Sequence, residues 1–108
     1  MSGISTHVLD TAKGRPAQGI RVIAERKSLA GEFVAVGEGI TDENGRILQL
    51  LANSAALEAG TYRLTFYVGD RAAFYPEIAV QFLVRDPSTH YHVPLLLSNY
   101  GYTTYRGA

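Results

Sequence analysis

The sequence predicts an all-β protein, an antiparallel β-sandwich of seven to eight short strands. Two observations support this prediction. The β-prone runs are short and alternate in the manner of strands, and turn signals separate them at intervals of about ten residues. No internal repeat or low-complexity tract favours another architecture. The 108 residues suffice for one hydrophobic core, so residues 1–108 are expected to form a single domain.

The N-terminal half contains three predicted strands and one tight turn. The strands cover residues 4–11, 20–27 and 32–39. A turn-rich Lys-Gly-Arg-Pro-Ala segment ends the first of them. After the third, Asn44 and Gly45 stand where a tight reversal requires a positive φ, which these residue types adopt more readily than others. Arg46 is therefore expected at the start of the next strand.

The C-terminal half contains four further strand candidates. They cover residues 61–68, residues 78–84 and the two runs on either side of the Asn-Tyr-Gly turn at residues 99–101. Residues 54–59 and 69–74 could each make a helical turn or two. Neither 78–84 nor 102–105 contains the Lys or Glu that would protect an exposed sheet edge. Self-association is expected if either strand lies at an edge, and not if both are central.

The composition excludes several classes of function. Ten basic and ten acidic side chains leave no formal net charge, and neither sign forms a run that would bind nucleic acid or a membrane surface. The chain has no cysteine, which rules out a disulfide framework and a thiol nucleophile. It has no signal-like start and no apolar run long enough to cross a bilayer, so a cytoplasmic location is expected.

The histidines are the first candidates for chemistry. By strand parity His7 shares a face with Ser5 and Leu9, while His90 and His92 share a face on the strand near the C-terminus. A neutral imidazole can accept a proton near pH 7, which is the property needed to activate water without a metal. A lone histidine on a strand is more often structural, so the functional interpretation requires these side chains to meet in space.

Arg46 is the second candidate, although an arginine just after a turn is commonly a solvated rim residue. Its guanidinium is a planar fork of donors that would match a planar ligand rich in oxygen and nitrogen, or stabilise a developing oxyanion. A cation near a histidine also lowers the imidazole pKa and keeps it basic. These roles reinforce each other only if Arg46 lies beside a histidine.

A zinc site is the main rival from the residues alone. His7, His90 and His92 would form the ligand set of an open catalytic zinc centre. No acidic residue is obviously placed to orient these ligands, which weakens this alternative. The chain has no Gly-x-Ser-x-Gly elbow and no His-Glu-x-x-His helix, so serine hydrolase and zincin mechanisms have no support.

Several motifs together resemble the transthyretin-like 5-hydroxyisourate hydrolases, and the likeness spans nearly the whole chain. They are Thr-His-Val-Leu-Asp at 6–10, Gly-Arg-Pro-Ala at 14–17, Thr-Asp-Glu-Asn-Gly-Arg at 41–46, His-Tyr-His-Val-Pro-Leu-Leu-Leu-Ser at 90–98 and Tyr-Arg-Gly at 105–107. The resemblance implies a two-sheet sandwich of eight strands with one short helix, assembled as a homotetramer around a channel. Its active sites would lie in that channel, at a subunit interface.

The resemblance also implies an activity and a site. The family opens the ring of 5-hydroxyisourate, a product of urate oxidation, by adding water to a ring carbonyl, and it needs no cofactor. Matching motifs make His7, Arg46 and His92 the catalytic residues. The substrate-binding residues implied are His7, Arg46, Tyr105, Arg106 and Gly107. The family signature usually closes with serine, whereas this sequence has Ala108 and therefore lacks that hydroxyl.

The mechanism expected from these residues is acid-base catalysis. One imidazole of His7 and His92 would take a proton from water, and the other would orient the substrate or protonate the leaving ring nitrogen; the sequence leaves both assignments open. Arg46 would bind the substrate and stabilise negative charge, and Tyr105 would supply a wall and a hydroxyl. The alternatives are a non-catalytic carrier of a small ligand, a purely structural sandwich domain and the zinc hydrolase.

Overall fold

The computed structural model describes residues 2–52 and 55–108, and over these residues the chain forms ten strands. The strands are β1 (Ile4–Asp10), β2 (Arg15–Pro16), β3 (Arg21–Lys27), β4 (Phe33–Ile40), β5 (Arg46–Ile47), β6 (Gly60–Tyr67), β7 (Ile78–Val84), β8 (Tyr91–His92), β9 (Leu95–Leu97) and β10 (Tyr102–Thr104). One sheet has the order β10-β9-β1-β2, with β5 and β8 also paired to β1, and the other has the order β4-β3-β6-β7. The all-β, two-sheet prediction is confirmed.

The structure has more strands than the seven to eight predicted, because β1 changes partners along its length. Its first half pairs with β5 and β8, and its second half pairs with β2 and β9. The predicted run after His90 is therefore divided in two. Pro94 lies between the two pieces and has no N–H to donate to a ladder. β2 lies in a segment that was predicted only as a turn-rich break, whereas the prediction that Arg46 begins a strand agrees with β5.

The antiparallel prediction is wrong for the centre of the first sheet. β1 pairs in parallel with β8 and with β9, in the registers Ile4↔Tyr91 and Val8↔Leu95. All pairings in the second sheet are antiparallel. The difference arises because the chain crosses from β7 in one sheet to β8 in the other. Parallel strands need such a crossover, and alternation within a strand does not encode its direction.

The predicted short helix is absent from the residues that the structure describes. At residues 69–74 the amides of Arg71 and Ala72 both donate to the Val68 carbonyl oxygen, at 2.7 and 3.1 Å, which makes a single turn. One turn lacks the propagation that stabilises a helix. Of the other candidate, residues 54–59, residue 54 lies outside the described residues, and 55–59 are not helical. Over the described ranges no helix is long and apolar enough to cross a membrane.

The hydrophobic core lies between the two sheets, and the parity predicted for β1 is confirmed. Val8 on the inner face of β1 is fully buried, as are Leu64 and Phe66 on β6. Thr6 also points inward, where its Oγ1 donates to the Val93 carbonyl oxygen at 2.6 Å. The opposite face of β1 carries half-buried His7. This outward face is where the predicted chemistry lies.

Strands β7 and β10 both lie at sheet edges. Self-association was predicted for the case in which either strand is an edge strand. Leu83 on β7 is 52% exposed and Tyr102 on β10 is 43% exposed. Neither strand has an internal Lys or Glu. The structure therefore presents two unprotected edges with apolar side chains beside them.

Candidate active site

The site forms across three neighbouring strands, with β1 in the middle. On one side, the antiparallel pair of β1 and β5 sets His7 opposite Arg46. On the other side, the parallel pair of β1 and β8 sets Ser5 opposite His92. Directly opposed residues have Cβ atoms about 4.5–5.5 Å apart and point to the same face of the sheet. The structure therefore brings together His7, Arg46 and His92, as the motifs implied.

The turn before β5 positions Arg46. The carboxylate of Asp42 accepts from the amides of Asn44 and Arg46, both at 2.9 Å. Gly45 has a φ of 76°, so it supplies the predicted left-handed residue. Its carbonyl oxygen accepts from the Val8 amide at 2.7 Å, which ties the turn to β1. The Arg46 side chain remains exposed and free to meet a ligand.

The same turn affects the Asp42 carboxyl. The hydrogen bond from the Arg46 amide is the main reason why the pKa of Asp42 lies below its ordinary value, with help from the Asn44 amide and the charges of Arg46 and His7. Asp42 is therefore ionised at neutral pH. Its negative charge helps to hold the Arg46 backbone in place.

His92 is held from two directions. Its Nδ1 is 2.7 Å from the Ser5 hydroxyl oxygen, and the same hydroxyl is 2.8 Å from Nε2 of His90. On the other side, the Gly107 amide donates to the His92 carbonyl oxygen at 2.8 Å. A Cβ atom at Gly107 would lie only 2.6 Å from His92 Cδ2. Gly107 thus permits a close approach of the C-terminal segment to the imidazole.

The environment of His92 favours the neutral imidazole. Burial lowers the pKa of His92 below its ordinary value, and the nearby positive charges of His7, His90 and Arg46 lower it further. Desolvation and like charge both disfavour the imidazolium form. At neutral pH His92 is therefore a proton acceptor.

Tyr105 and Arg106 lie elsewhere in the single chain. The Arg106 guanidinium carbon is 4.3 Å from the centre of the Tyr91 ring, and its Nη2 is 3.4 Å from Thr89 Oγ1. Both residues line a groove of about 350 Å³ between the edges of β7 and β10. Within the described residues of one chain, neither hydrogen-bonds to the two imidazoles or to Arg46. Of the Tyr-Arg-Gly signature, only Gly107 reaches the site directly.

The zinc alternative gains no support from this geometry. In residues 2–52 and 55–108, no group of three His, Cys, Asp or Glu side chains is arranged to hold a metal ion. The Ser5 hydroxyl instead lies between His90 and His92. Ser5 is also the polar neighbour of the site that the motifs did not single out. The sequence feature that could have identified Ser5 is strand parity, which places it on the same face of β1 as His7.

The fold and the site together define a transthyretin-like β-sandwich with a histidine and arginine cluster on the outer face of its first sheet. Residues 4–107 match the model of the HIUase/Transthyretin family. The chain belongs to this family.

Relatives and solved structures agree with this assignment. The chain is 43% identical to the 5-hydroxyisourate hydrolase of Salmonella dublin over 111 aligned residues, which cover 97% of this chain and 80% of the relative. The structure of Klebsiella pneumoniae 5-hydroxyisourate hydrolase matches with a TM-score of 0.80 and 33% identity, over 99% of this chain and all of that chain (100%). The structure of (S)-allantoin synthase matches with a TM-score of 0.85 and 32% identity, over 99% of this chain but only 44% of that one.

Proposed function

We propose that this protein hydrolyses 5-hydroxyisourate, a step of urate and therefore purine degradation, by adding water to a ring carbonyl and opening the ring. The observation that carries the proposal is the register of β1, which sets His7 opposite Arg46 and Ser5 opposite His92. Two proton-transfer groups and a guanidinium thereby share one face. The relatives named as 5-hydroxyisourate hydrolases support the same activity. The residues invoked require no metal and no cofactor.

In the proposed mechanism His92 is the general base. Its lowered pKa keeps the imidazole neutral, so it can take a proton from water as the oxygen attacks the carbonyl carbon. His7, on the neighbouring strand, orients the substrate or protonates the leaving ring nitrogen. Acid-base help of this kind typically contributes about a hundred- to ten-thousandfold in rate.

Arg46 has the electrostatic role in this mechanism. Its side chain is exposed beside His7, and a guanidinium offers parallel donors to adjacent oxygen and nitrogen acceptors of a planar ring. The same donors would stabilise the negative charge that develops on the attacked carbonyl oxygen. Arg46 therefore contributes to both substrate binding and the chemical step.

The substrate pocket is completed by association in this proposal. On the outer face of β1, His7 and Leu9 are only half-buried in one chain, and a homotetramer would enclose this face between subunits. Two edge strands with exposed Leu83 and Tyr102 support an association of this kind. Tyr105 and Arg106, which follow one of these edges, would act on the substrate in the assembled channel together with Gly107.

A matched pair of variants tests the assembly. Replacing Leu83, 52% exposed on the β7 edge, by Lys is expected to reduce the oligomer mass measured by sedimentation. Val34, 55% exposed on the β4 edge, provides the control, because Val34→Lys adds the same charge to a different edge. An unchanged tetramer in Leu83→Lys would exclude the β7 edge from the interface, and a monomeric wild type would end this part of the proposal.

Ultraviolet spectroscopy of freshly generated 5-hydroxyisourate tests the activity. The protein is expected to accelerate the decay of the substrate, and His92→Asn is expected to abolish the acceleration while circular dichroism stays unchanged. Binding of the substrate without accelerated decay would instead indicate a carrier. Loss of activity on treatment with a chelator would support the zinc mechanism. The proposal places the reaction in the cytoplasm, which fractionation of the host cells can test.

A further inference from the structure

Ser5 lies between two imidazoles on the outer face of the first sheet. Its hydroxyl oxygen is 2.8 Å from His90 Nε2 and 2.7 Å from His92 Nδ1. The side chain is buried, with 7% exposure, and the backbone is fixed because the Val93 amide donates to the Ser5 carbonyl oxygen at 2.9 Å. The hydroxyl is thus held in place between the two rings.

We propose that Ser5 is a positioning residue that couples His90 to His92 and selects which ring nitrogen of His92 is free to accept the proton of water. This inference rests on the proposed function of His92 as the base. It adds a hydroxyl and a third histidine to the residues that the motifs implied.

The coupling follows from the single hydrogen of a hydroxyl group. With a ring nitrogen on each side, Ser5 can donate to one nitrogen and must accept from the other. In one arrangement His92 Nδ1–H donates to Ser5, and Ser5 donates to His90 Nε2. In the reverse arrangement His90 Nε2–H donates to Ser5, and Ser5 donates to His92 Nδ1. The tautomers of the two histidines are therefore linked.

Only the first arrangement makes His92 a base. The proton on Nδ1 leaves the lone pair of Nε2 free to accept a proton from water. In the reverse arrangement Nε2 carries the proton, so it can donate to a leaving nitrogen and cannot accept. The same three side chains thus provide both the base and the acid that hydrolysis needs.

The change between the two arrangements moves protons among the three side chains, the attacking water and solvent, and it needs no further reactant. As a water O–H bond breaks, an N–H bond forms at His92 Nε2. The Nδ1 proton passes to Ser5 Oγ, the Ser5 proton passes to His90 Nε2, and His90 releases its Nδ1 proton to solvent. The reverse sequence, in which His92 Nε2–H protonates the leaving nitrogen, takes one proton back from solvent and restores the start.

The charges around His92 favour this transfer. Burial disfavours an imidazolium at His92, and so does the guanidinium of Arg46 on β5; His7 on β1 and His90 beside it would each oppose that imidazolium further whenever they are protonated. Asp42 is an acidic group near Arg46 and His7. From the C-terminal segment the contact is Gly107, which carries no charge. His90 is exposed, so a proton that reaches it meets water directly.

Long-range proton–nitrogen NMR spectra of the imidazoles test the coupling in the full chain. The chain has three histidines, so variants of His7 and His90 assign the signals. In the wild type His92 is expected to carry its proton on Nδ1. Ser5→Ala is expected to raise the fraction of His92 with the proton on Nε2, and Ser5→Thr, which keeps the hydroxyl, is expected to preserve the wild-type state.

His90→Ala provides an independent variant at an exposed position, where the fold is not at risk. It removes the acceptor of the Ser5 hydroxyl, which then becomes free to donate to His92 Nδ1. The expected result is again a rise in the Nε2–H tautomer of His92. A tautomer unchanged in both Ser5→Ala and His90→Ala would overturn the coupling.

Kinetics provide the second readout. Ser5→Ala is expected to lower kcat by about ten- to a hundredfold with little change in KM, because it removes the acceptor of the His92 Nδ1–H group and leaves that half-buried donor unpaired. Ser5→Thr should restore most of the rate. An unchanged kcat in Ser5→Ala would overturn the catalytic part of the inference. A wild type that does not hydrolyse 5-hydroxyisourate would refute the proposed function, whereas the NMR tautomers would still decide the coupling.

Discussion

His7 and Arg46 are direct cross-strand partners, because the antiparallel register of β1 and β5 places their Cα atoms opposite each other. A histidine and an arginine in this position do not form the oppositely charged cross-strand pair that stabilises a sheet. The register places an imidazole and a guanidinium side by side on the outer face of the sheet, and this is the arrangement that the proposed mechanism uses.

Arg46→Ala is expected to lower kcat by about a hundred- to a thousandfold, since it removes the donors that face the developing negative charge. Arg46→Lys keeps the charge and loses the planar fork, so it should recover only part of the rate and should keep a raised KM. Both kcat and KM are measured from the rate at which the ultraviolet absorbance of 5-hydroxyisourate decays. Arg21→Ala is the control, because Arg21 is an exposed arginine on the other sheet, 3.3 Å from Glu38. Equal losses in Arg21→Ala and Arg46→Ala would remove Arg46 from the mechanism.

The pH dependence of kcat/KM is expected to report the lowered pKa of His92. Below that pKa the imidazole is protonated and cannot accept a proton, so activity should rise with pH and level off once His92 is neutral. The midpoint should lie below the ordinary histidine value of about 6.5. Removing the Arg46 charge raises the pKa of His92, so the residual activity of Arg46→Ala should rise at a higher pH. A midpoint at or above 6.5 in the wild type would contradict this assignment.

Local features of the site could be predicted from the sequence, because they depend on near neighbours. Strand parity placed His7 on the outer face and Val8 in the core, and the turn chemistry of Gly45 placed Arg46 at the start of a strand. These inferences use periods and dihedral preferences that a short segment already contains.

The meeting of Ser5 with His92 could not be predicted in this way. These residues are 87 positions apart in the chain, and their strands pair in parallel after a crossover between sheets. Alternation reveals which face a side chain occupies, and not which strand lies beside it. The family resemblance supplied the convergence of His92 with His7. The hydrogen bond of Ser5 needed coordinates, because a serine on a strand is common and carries no distinguishing pattern.

Gly107→Ala is expected to reduce kcat by about ten- to a hundredfold through displacement of the His92 ring. The added Cβ would lie 2.6 Å from His92 Cδ2, so the ring or the C-terminal segment must move, and a misplacement of about 1 Å can cost a hundredfold in rate. Gly101→Ala is the matched control, because its Cβ would meet Ser98 Oγ at an ordinary 3.6 Å. Full activity in Gly107→Ala would show that this segment does not fix the imidazole.

Gly45→Ala is expected to destabilise the fold and to impair catalysis together, because Gly45 ties the turn of Arg46 to β1. Its φ of 76° is strained for any residue with a Cβ, and that Cβ would lie 2.4 Å from the Val8 carbonyl oxygen. Gly14 has a similar φ of 66° with no atom within 4 Å of an added Cβ. Gly14→Ala therefore measures the dihedral cost alone, which is about 1–2 kcal/mol.

The clash should cost Gly45→Ala about 1–3 kcal/mol more than Gly14→Ala. Urea unfolding at one protein concentration measures the difference, since association would otherwise shift the midpoint. The crowded carbonyl also accepts from the Ala17 amide at 3.0 Å, so relief of the clash must disturb the turn or the β1–β2 pairing. We expect Gly45→Ala to raise KM through displacement of Arg46, and Gly14→Ala to leave KM unchanged. Equal midpoints and equal KM values in the two variants would mean that the turn adjusts without moving the guanidinium.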